Sequence, residues 1–363
     1  MFVISFAKAF LRGRFPKRFI IRIILISILF LIFLIGTVKI ASNSSNSIAL
    51  TNDIDTDNCT SSTKNISCIK SGELEIDSTS ERFSQKCDIP IKNSHFSLAH
   101  RFPHIIIIGF GKAGTRALYQ IIRLNPKVVG PPNELRFFSN DAKYKLGVNA
   151  YTKRMPPTTS TQITIEKSPD YIIKPVAAIR LKKAIERCGR SRDIKFIVVL
   201  RDPFTRTVSE YLHWKLYLQS EGKNIRSFEK LAIKNSGHVD NLRAQVNTSA
   251  YSYHVQNWLK VFDLSQMCFV DGDRLAKNPY PVAKKLEKCL ELEDFITQEH
   301  FYYNKAKRFY CPVDRKGNPK CLSSNKGRPH PKIDVDVEMK LRAFFKPYNK
   351  ALYNVTGINF GWR

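Results

Sequence analysis

Acidic side chains are scarce in this sequence. Its 363 residues include 31 Asp and Glu against 59 Lys and Arg, a formal net charge of +28. That shortage excludes an acidic, halophile-like or calcium-buffering protein. It calls for an acidic partner: nucleic acid, anionic lipid or a polyanionic polysaccharide. No Cys-x-x-Cys pair occurs among the eight cysteines, so a zinc site is disfavoured. Internal repeats are missing. There is no Gly-x-x-x-x-Gly-Lys-Ser/Thr loop. Wholesale disorder is excluded too, because 43% of the residues are hydrophobic.

The positive charge is split along the chain. Met1 to Arg22 hold six basic residues and no acid. Sixteen uncharged residues follow from Ile23 to Val38, and counting from Phe19 gives twenty, interrupted only by Arg22. Arg22 can snorkel to the headgroups. As a helix this stretch is about 30 Å long, one bilayer core. It reads as a transmembrane signal anchor over residues 19–38, with a cytosolic basic tail over 1–18 and the rest luminal. A cleaved signal peptide is the alternative, but the run is long for one and lacks a small-x-small site. Residues 39–100 read as a disordered luminal stem, rich in Ser, Thr, Asn and Asp. Sequons at Asn43, Asn58, Asn65, Asn247 and Asn354 agree with a secretory route. Residues 101–363 hold 47 basic and 23 acidic residues, a net of +24 on a luminal domain. A luminal position argues against nucleic acid as the partner.

Cys311 and Cys321 are ten apart in a polar segment, a spacing that favours a disulfide in an oxidising lumen. Cys59 and Cys68 are a possible pair within the stem, and the pairing of Cys87 is left open. Cys188, Cys268 and Cys289 sit in apolar contexts that suit plain buried thiols.

Strands and helices alternate through the domain. His104–Ile108 is a uniform β-branched run, the mark of a buried parallel strand. Gln162–Glu166, Lys195–Leu200 and Cys268–Asp271 read as further strands. Helices are expected over Arg116–Leu124, Val176–Cys188, Asp202–Leu218, Ser252–Phe262 and about Asp336–Phe345. The pattern implies a single α/β domain with a central parallel sheet flanked by helices.

Two motifs carry anion-binding chemistry. Gly109-Phe-Gly-Lys-Ala-Gly-Thr115 joins the first strand to a helix. Glycines let backbone N–H groups approach a phosphate, and Lys112 adds a mobile cation. Thr115 is positioned to cap the helix. A plain β-α turn is the bland reading. Leu200-Arg-Asp-Pro-Phe-Thr-Arg-Thr-Val-Ser209 stands where another strand ends. Arg201 and Ser209 can hold a second phosphate, Arg201 by its fork. The bland reading there is an Arg201–Asp202 pair and a surface hydroxyl.

The two motifs resemble the loops that hold 3′-phosphoadenylyl sulfate (PAPS) in Golgi sulfotransferases. Six further motifs follow in order: Asn133–Phe138, Glu166–Tyr171, His254–Leu259, Val270–Leu275, Phe309–Cys311 and Cys321–His330. Together they resemble the heparan sulfate glucosamine 3-O-sulfotransferase family, over Ile105 to the C-terminus. The resemblance implies a P-loop-like sulfotransferase domain in a single-pass type II Golgi membrane protein. Its donor would be PAPS, its acceptor heparan sulfate, and no metal would be required. Lys112, Ala113, Gly114, Thr115 and Arg116 would surround the 5′-phosphosulfate. Arg201 and Ser209 would bind the 3′-phosphate. Tyr310 and Lys326, Gly327, Arg328, Pro329 and His330 would complete the nucleotide site. Glu134 would be the catalytic base, with Lys112 and Lys167 as catalytic cations. Arg136, Lys167, Ser168, Pro169, Asp170 and His213 would meet the acceptor. Three positions depart from the family pattern: Arg136 where His is common, Ser139 where Asp is common, and His213 where Gln is expected.

The chemistry has its own logic. An alcohol nucleophile must lose its proton, so a carboxylate within reach is the natural base. Developing charge on the transferring group needs cations. Arg136 beside Glu134 should keep the carboxylate ionised and make it a weaker base. Read alone, Glu134 would pass for a salt-bridging acid. The basic helix residues Arg180, Lys182, Lys183 and Arg187 can track a polyanion or form a solvated face. The competing functions are transfer to the 6-hydroxyl or the amine, and a non-catalytic heparin-binding membrane protein. A nucleotide kinase is disfavoured by the missing Walker lysine.

Overall fold

Four consecutive isoleucines, Ile105 to Ile108, set the centre of the fold, all of them within 2% of complete burial. The computed structural model describes residues 87–92, 97–190, 194–314, 317–322 and 328–362. The basic tail, the anchor, most of the stem, Cys59, Cys68 and the first three sequons lie outside them, as do Lys326 and Gly327.

The main sheet has five strands: β1 (Ile105–Gly109), β2 (Val128–Val129), β3 (Ile163–Lys167), β4 (Lys195–Leu200) and β5 (Met267–Asp271). Its order is β2-β3-β1-β4-β5, and every pairing is parallel. Parallel strands are buried on both faces, which is why β1 and β4 read as unbroken apolar runs rather than alternating ones. Truncating one of these isoleucines to Ala would cost about 2–5 kcal/mol.

From β1 the chain passes to β2 and β3 on one side, then crosses to β4 and β5 on the other. The order therefore reverses between β1 and β4. In open α/β sheets that switch point opens a crevice at the carboxyl edge, where ligands bind.

The main helices are α1 (Thr115–Ile122), α2 (Pro175–Arg187), α3 (Pro203–Ser220), α4 (Tyr251–Leu259), α5 (Gly272–Lys277), α6 (Pro279–Cys289) and α7 (Val335–Thr356). Asp202 caps α3 through Thr205 N at 2.9 Å, ahead of a proline in the first turn. α7 packs on α3 and α4. It runs eleven residues past the expected end at Phe345 and contains Pro347. Proline argues for a stop, but Asn349 and Leu352 continue the buried stripe of Val337, Leu341 and Phe345.

Two expectations are corrected. Cys188 and Cys268 are not free thiols: Cys87 pairs with Cys188, and Cys268 with Cys289. An apolar setting suits a buried disulfide as well as a thiol, so composition could not separate them. Cys311–Cys321 pairs as its spacing suggested. It closes onto a hairpin of β6 (Phe301–Asn304) and β7 (Phe309–Pro312). The end of the presumed stem, from Cys87, is packed structure. Ile89–Pro90 pairs with Ala99–His100, which pairs with Pro157–Thr158. Asp88 binds Arg101 at 2.7 Å.

Candidate active site

The loop after β1 turns sharply into α1. Lys112 and Gly114 have positive φ, 70° and 110°. Gly114 is the N-cap and supplies no side-chain bond, so Thr115 is the first helical residue and not the cap expected of it. The first turn of α1 is left without a side-chain acceptor, the state in which a helix N-terminus accepts an anion.

Two neighbours fix this loop. Gly272 opens α5 so close beneath it that a Cβ would lie 2.0 Å from the Ala113 carbonyl oxygen. Arg206 of α3, 1% exposed, donates from Nε to the Gly111 carbonyl at 3.0 Å. The same guanidinium reaches the Gln245 carbonyl at 3.0 Å, Ser249 Oγ at 2.9 Å and the Glu210 carboxylate.

Arg201 leaves the end of β4 on the other side of the crevice. Its partner is not Asp202 but Asp273, which accepts from Arg201 Nε at 2.9 Å and from the Asp202 backbone N–H at 2.8 Å. Asp202 is occupied instead by Thr205 and by Arg342 of α7 at 3.0 Å. His330 comes into the same field. Its pKa is lowered, first by burial and then by Arg201, with Asp273 opposing and Lys112 adding to the fall. Lys112, Arg201, Asp273 and His330 are thus electrostatic neighbours at the switch point.

The second half of the site forms at the end of β3. The segment Asn133–Phe138 is irregular, and its backbone is tied down residue by residue. Arg136 N donates to Ser168 Oγ at 2.8 Å, and Phe137 N to the Tyr171 hydroxyl at 2.9 Å. Lys143 Nζ donates to the Leu135 carbonyl at 2.7 Å. Phe137 and Phe138 are buried against Tyr151, which turns Glu134 and Arg136 outward.

Glu134 stands between two cations. One carboxylate oxygen takes Lys167, whose side chain is 9% exposed. The other takes Arg136 through Nη2 at 2.7 Å and Nε at 3.2 Å. Burial alone would raise the Glu134 pKa, but Lys167 and then Arg136 outweigh it and hold the carboxyl below its ordinary value. Beneath lies Glu166, fully buried, accepting from Ser168 Oγ at 2.5 Å. Burial pushes Glu166 up to about 7, against the Ser168 hydrogen bond.

This arrangement puts an anion cradle and an ionised carboxylate on one edge of a parallel sheet. A sulfotransferase domain matches residues 102–356. The chain is 40% identical over 266 residues to heparan sulfate glucosamine 3-O-sulfotransferase 5 of Homo sapiens, covering 73% of this chain and 75% of that one. It is 38% identical over 292 residues to the human 3-O-sulfotransferase 3B1, covering 78% and 72%. The chain belongs to the heparan sulfate glucosamine 3-O-sulfotransferases. A sulfotransferase from Alicyclobacillus acidocaldarius shares the fold, with a TM-score of 0.51 at 22% identity over 70% of this chain and 96% of that one.

Within the domain the expected residues divide by place. Glu134, Arg136, Lys167 and Ser168 form one bonded cluster, with Asp170 joined to Ser139 at 2.6 Å. Ala113, Gly114 and Thr115 lie on the β1 loop and the start of α1, and Arg116 is exposed there. Ser209 is half-buried on α3. Pro169 is half-buried after β3, and Arg328 and Pro329 lead to His330. Tyr310 is exposed on the hairpin, edge-on to Tyr303 at 5.1 Å. His213 is exposed on α3 beside Trp214.

Sequence reasoning missed Arg206, Asp273 and Glu166. All three stand inside motifs that were singled out. The signal for Arg206 and Glu210 was an i, i+4 pair on a helix. For Asp273 nothing short of the fold tells which carboxylate Arg201 meets.

Proposed function

We propose that this chain transfers a sulfuryl group from PAPS to the 3-hydroxyl of glucosamine residues in heparan sulfate. The reading rests most on one observation: Glu134, ionised between Lys167 and Arg136, at the carboxyl edge that also carries the loop after β1. The uncapped start of α1, the positive-φ turn and the cations Lys112 and Arg201 suit a donor with phosphates at both ends. Lys112 to Arg116 would hold its phosphosulfate end. Arg201 and Ser209 would hold the 3′-phosphate, and Tyr310 and Arg328 to His330 would border it. Lys326 and Gly327 continue that segment outside the described residues. Bound there, PAPS supplies a sulfuryl group on a phosphate leaving group.

The residues then divide the work. Glu134 accepts the hydroxyl proton as the acceptor oxygen bonds to sulfur and the bond from sulfur to the departing phosphate oxygen breaks. Lys167 and Lys112 neutralise charge on the transferring group and on that oxygen. Ser168, Pro169 and Asp170 line the acceptor side, and His213 lies further along α3. The N-terminal apolar segment would anchor the chain as a single-pass type II Golgi protein, its domain facing heparan sulfate in the lumen.

Glu134→Gln is the test. Gln keeps the shape and loses the proton acceptor, so transfer should fall by about 10²–10⁴-fold while nucleotide binding persists. Disaccharide analysis after incubation with labelled PAPS should place the label at the 3-hydroxyl. Label only at the 6-hydroxyl or the amine would refute the position, and undiminished transfer would refute Glu134 as base.

A further inference from the structure

Arg136 has two features that a simple salt bridge does not need. Its φ is 48°, in the region that disfavours a side-chain-bearing residue. Its side chain is 58% exposed, against 28% for the carboxylate it grips and 9% for Lys167 opposite. The backbone does not leave Arg136 free to drift, because Ser168 Oγ fixes its N–H at 2.8 Å. One edge of the guanidinium, Nε and Nη2, is spent on Glu134 Oε2. The opposite edge makes no hydrogen bond among the described residues, and the side chain is largely exposed.

The pairing is also at odds with the role proposed for Glu134. Two cations on one carboxylate weaken it as a base. Lys167 is buried and held, whereas Arg136 is exposed and can exchange one anion for another. A guanidinium binds sulfate or carboxylate through the same bidentate fork that it offers Glu134.

We propose that Arg136 is a specificity residue that reads an anionic group on the acceptor, a sulfate or carboxylate beside the accepting hydroxyl, and releases Glu134 on taking it. The base is then strongest when the correct acceptor is in place. An acceptor of the right shape but no charge leaves Arg136 clamped on Glu134 and reacts slowly. The inference rests on the proposed sulfuryl transfer and on Glu134 as its base.

The charged groups around the pair are Lys167 from β3, Asp170 from the loop after it, Lys143 on the Leu135 carbonyl and Glu166 beneath. None of them duplicates the contact of Arg136 with Glu134 Oε2.

The experiment compares Arg136→Gln and Arg136→Lys with the parent protein, as the full chain, on two probes. One is an N-sulfated heparan oligosaccharide. The other is its desulfated, N-acetylated, carboxyl-reduced counterpart, which is uncharged. In Arg136→Gln, kcat/KM on the charged probe should fall roughly tenfold or more, the scale of a lost charge-assisted fork. On the uncharged probe it should hold or rise, so the preference collapses. The acid limb of its kcat profile should move to higher pH, because Glu134 loses one of the cations that hold it low. Arg136→Lys should recover part of the preference. An equal loss on both probes, in a parent that is active and a variant that still binds nucleotide, would overturn the inference alone. A parent that transfers to neither probe would overturn the proposed function, and the inference with it.

Discussion

Replacing Arg206 by Met should loosen the donor loop and destabilise the domain together. The Arg206 side chain is 1% exposed and bonded to Gly111, Gln245, Ser249 and Glu210. Met fills most of the volume but returns none of those bonds. Breaking a buried pair by removing one partner costs about 3–5 kcal/mol. Glu210 keeps 19% of its side chain exposed, so water can take up its charge. That places the loss near the lower end, about 3 kcal/mol. At about 2 °C per kcal/mol for a domain of this size, the melting temperature should drop by roughly 6 °C. The Gly111 carbonyl belongs to the turn that carries Lys112, so the KM for the nucleotide should rise as well. Thermal melts and urea titrations read the first effect, and donor saturation kinetics at a temperature well below the melt read the second. A stability loss under about 1 kcal/mol would show that the guanidinium is not holding these elements together. Full stability loss with an unchanged donor KM would show that it does not position the loop.

Two further outcomes follow from the same geometry. In the chain-entropy account of cross-links, Cys87–Cys188, closing 101 residues, stabilises by about 4.7 kcal/mol, and Cys268–Cys289, closing 21, by about 3.3 kcal/mol. Cys87→Ser should therefore lower the urea midpoint more than Cys268→Ser, and the reverse order would refute loop length as the determinant. Glu166 has a folded pKa raised to about 7 from 4.5. Its contribution to stability is thus full below about pH 4.5 and lost as pH rises through about 7. Glu166→Gln should flatten that part of the stability profile, and an unchanged slope between pH 5 and 7.5 in urea titrations would refute the assignment (about 1.4 kcal/mol rides on each unit).

How much of this was legible in the sequence differs between backbone and side chains. Four of the five main-sheet strands were readable because a buried parallel strand has no polar face to confuse the pattern, as in Ile105–Ile108 and Phe196–Leu200, while β2, two residues long, was too short to give one. Glu134 and Lys167 were nameable through the family resemblance of their motifs; read alone, Glu134 would pass for a salt-bridging acid. What composition could not reach was pairing. Arg201 lies next to Asp202 in sequence, and adjacency suggested a bridge, yet Asp202 is turned to cap α3 while Asp273, 72 residues on, takes the arginine. Successive residues at the end of a strand point opposite ways, so the nearest neighbour in sequence is a poor guess for a partner. The cysteines failed for a related reason. Cys268 and Cys289 are 21 apart, and only the packing of α6 on β5 brings them together. Short separations were the pairings that could be anticipated: Cys311 with Cys321, ten apart, and Arg136 with Glu134. Two residues from Glu134 in an irregular segment, with φ at 48°, the Arg136 side chain returns to the same face, and the sequence neighbour becomes the spatial one.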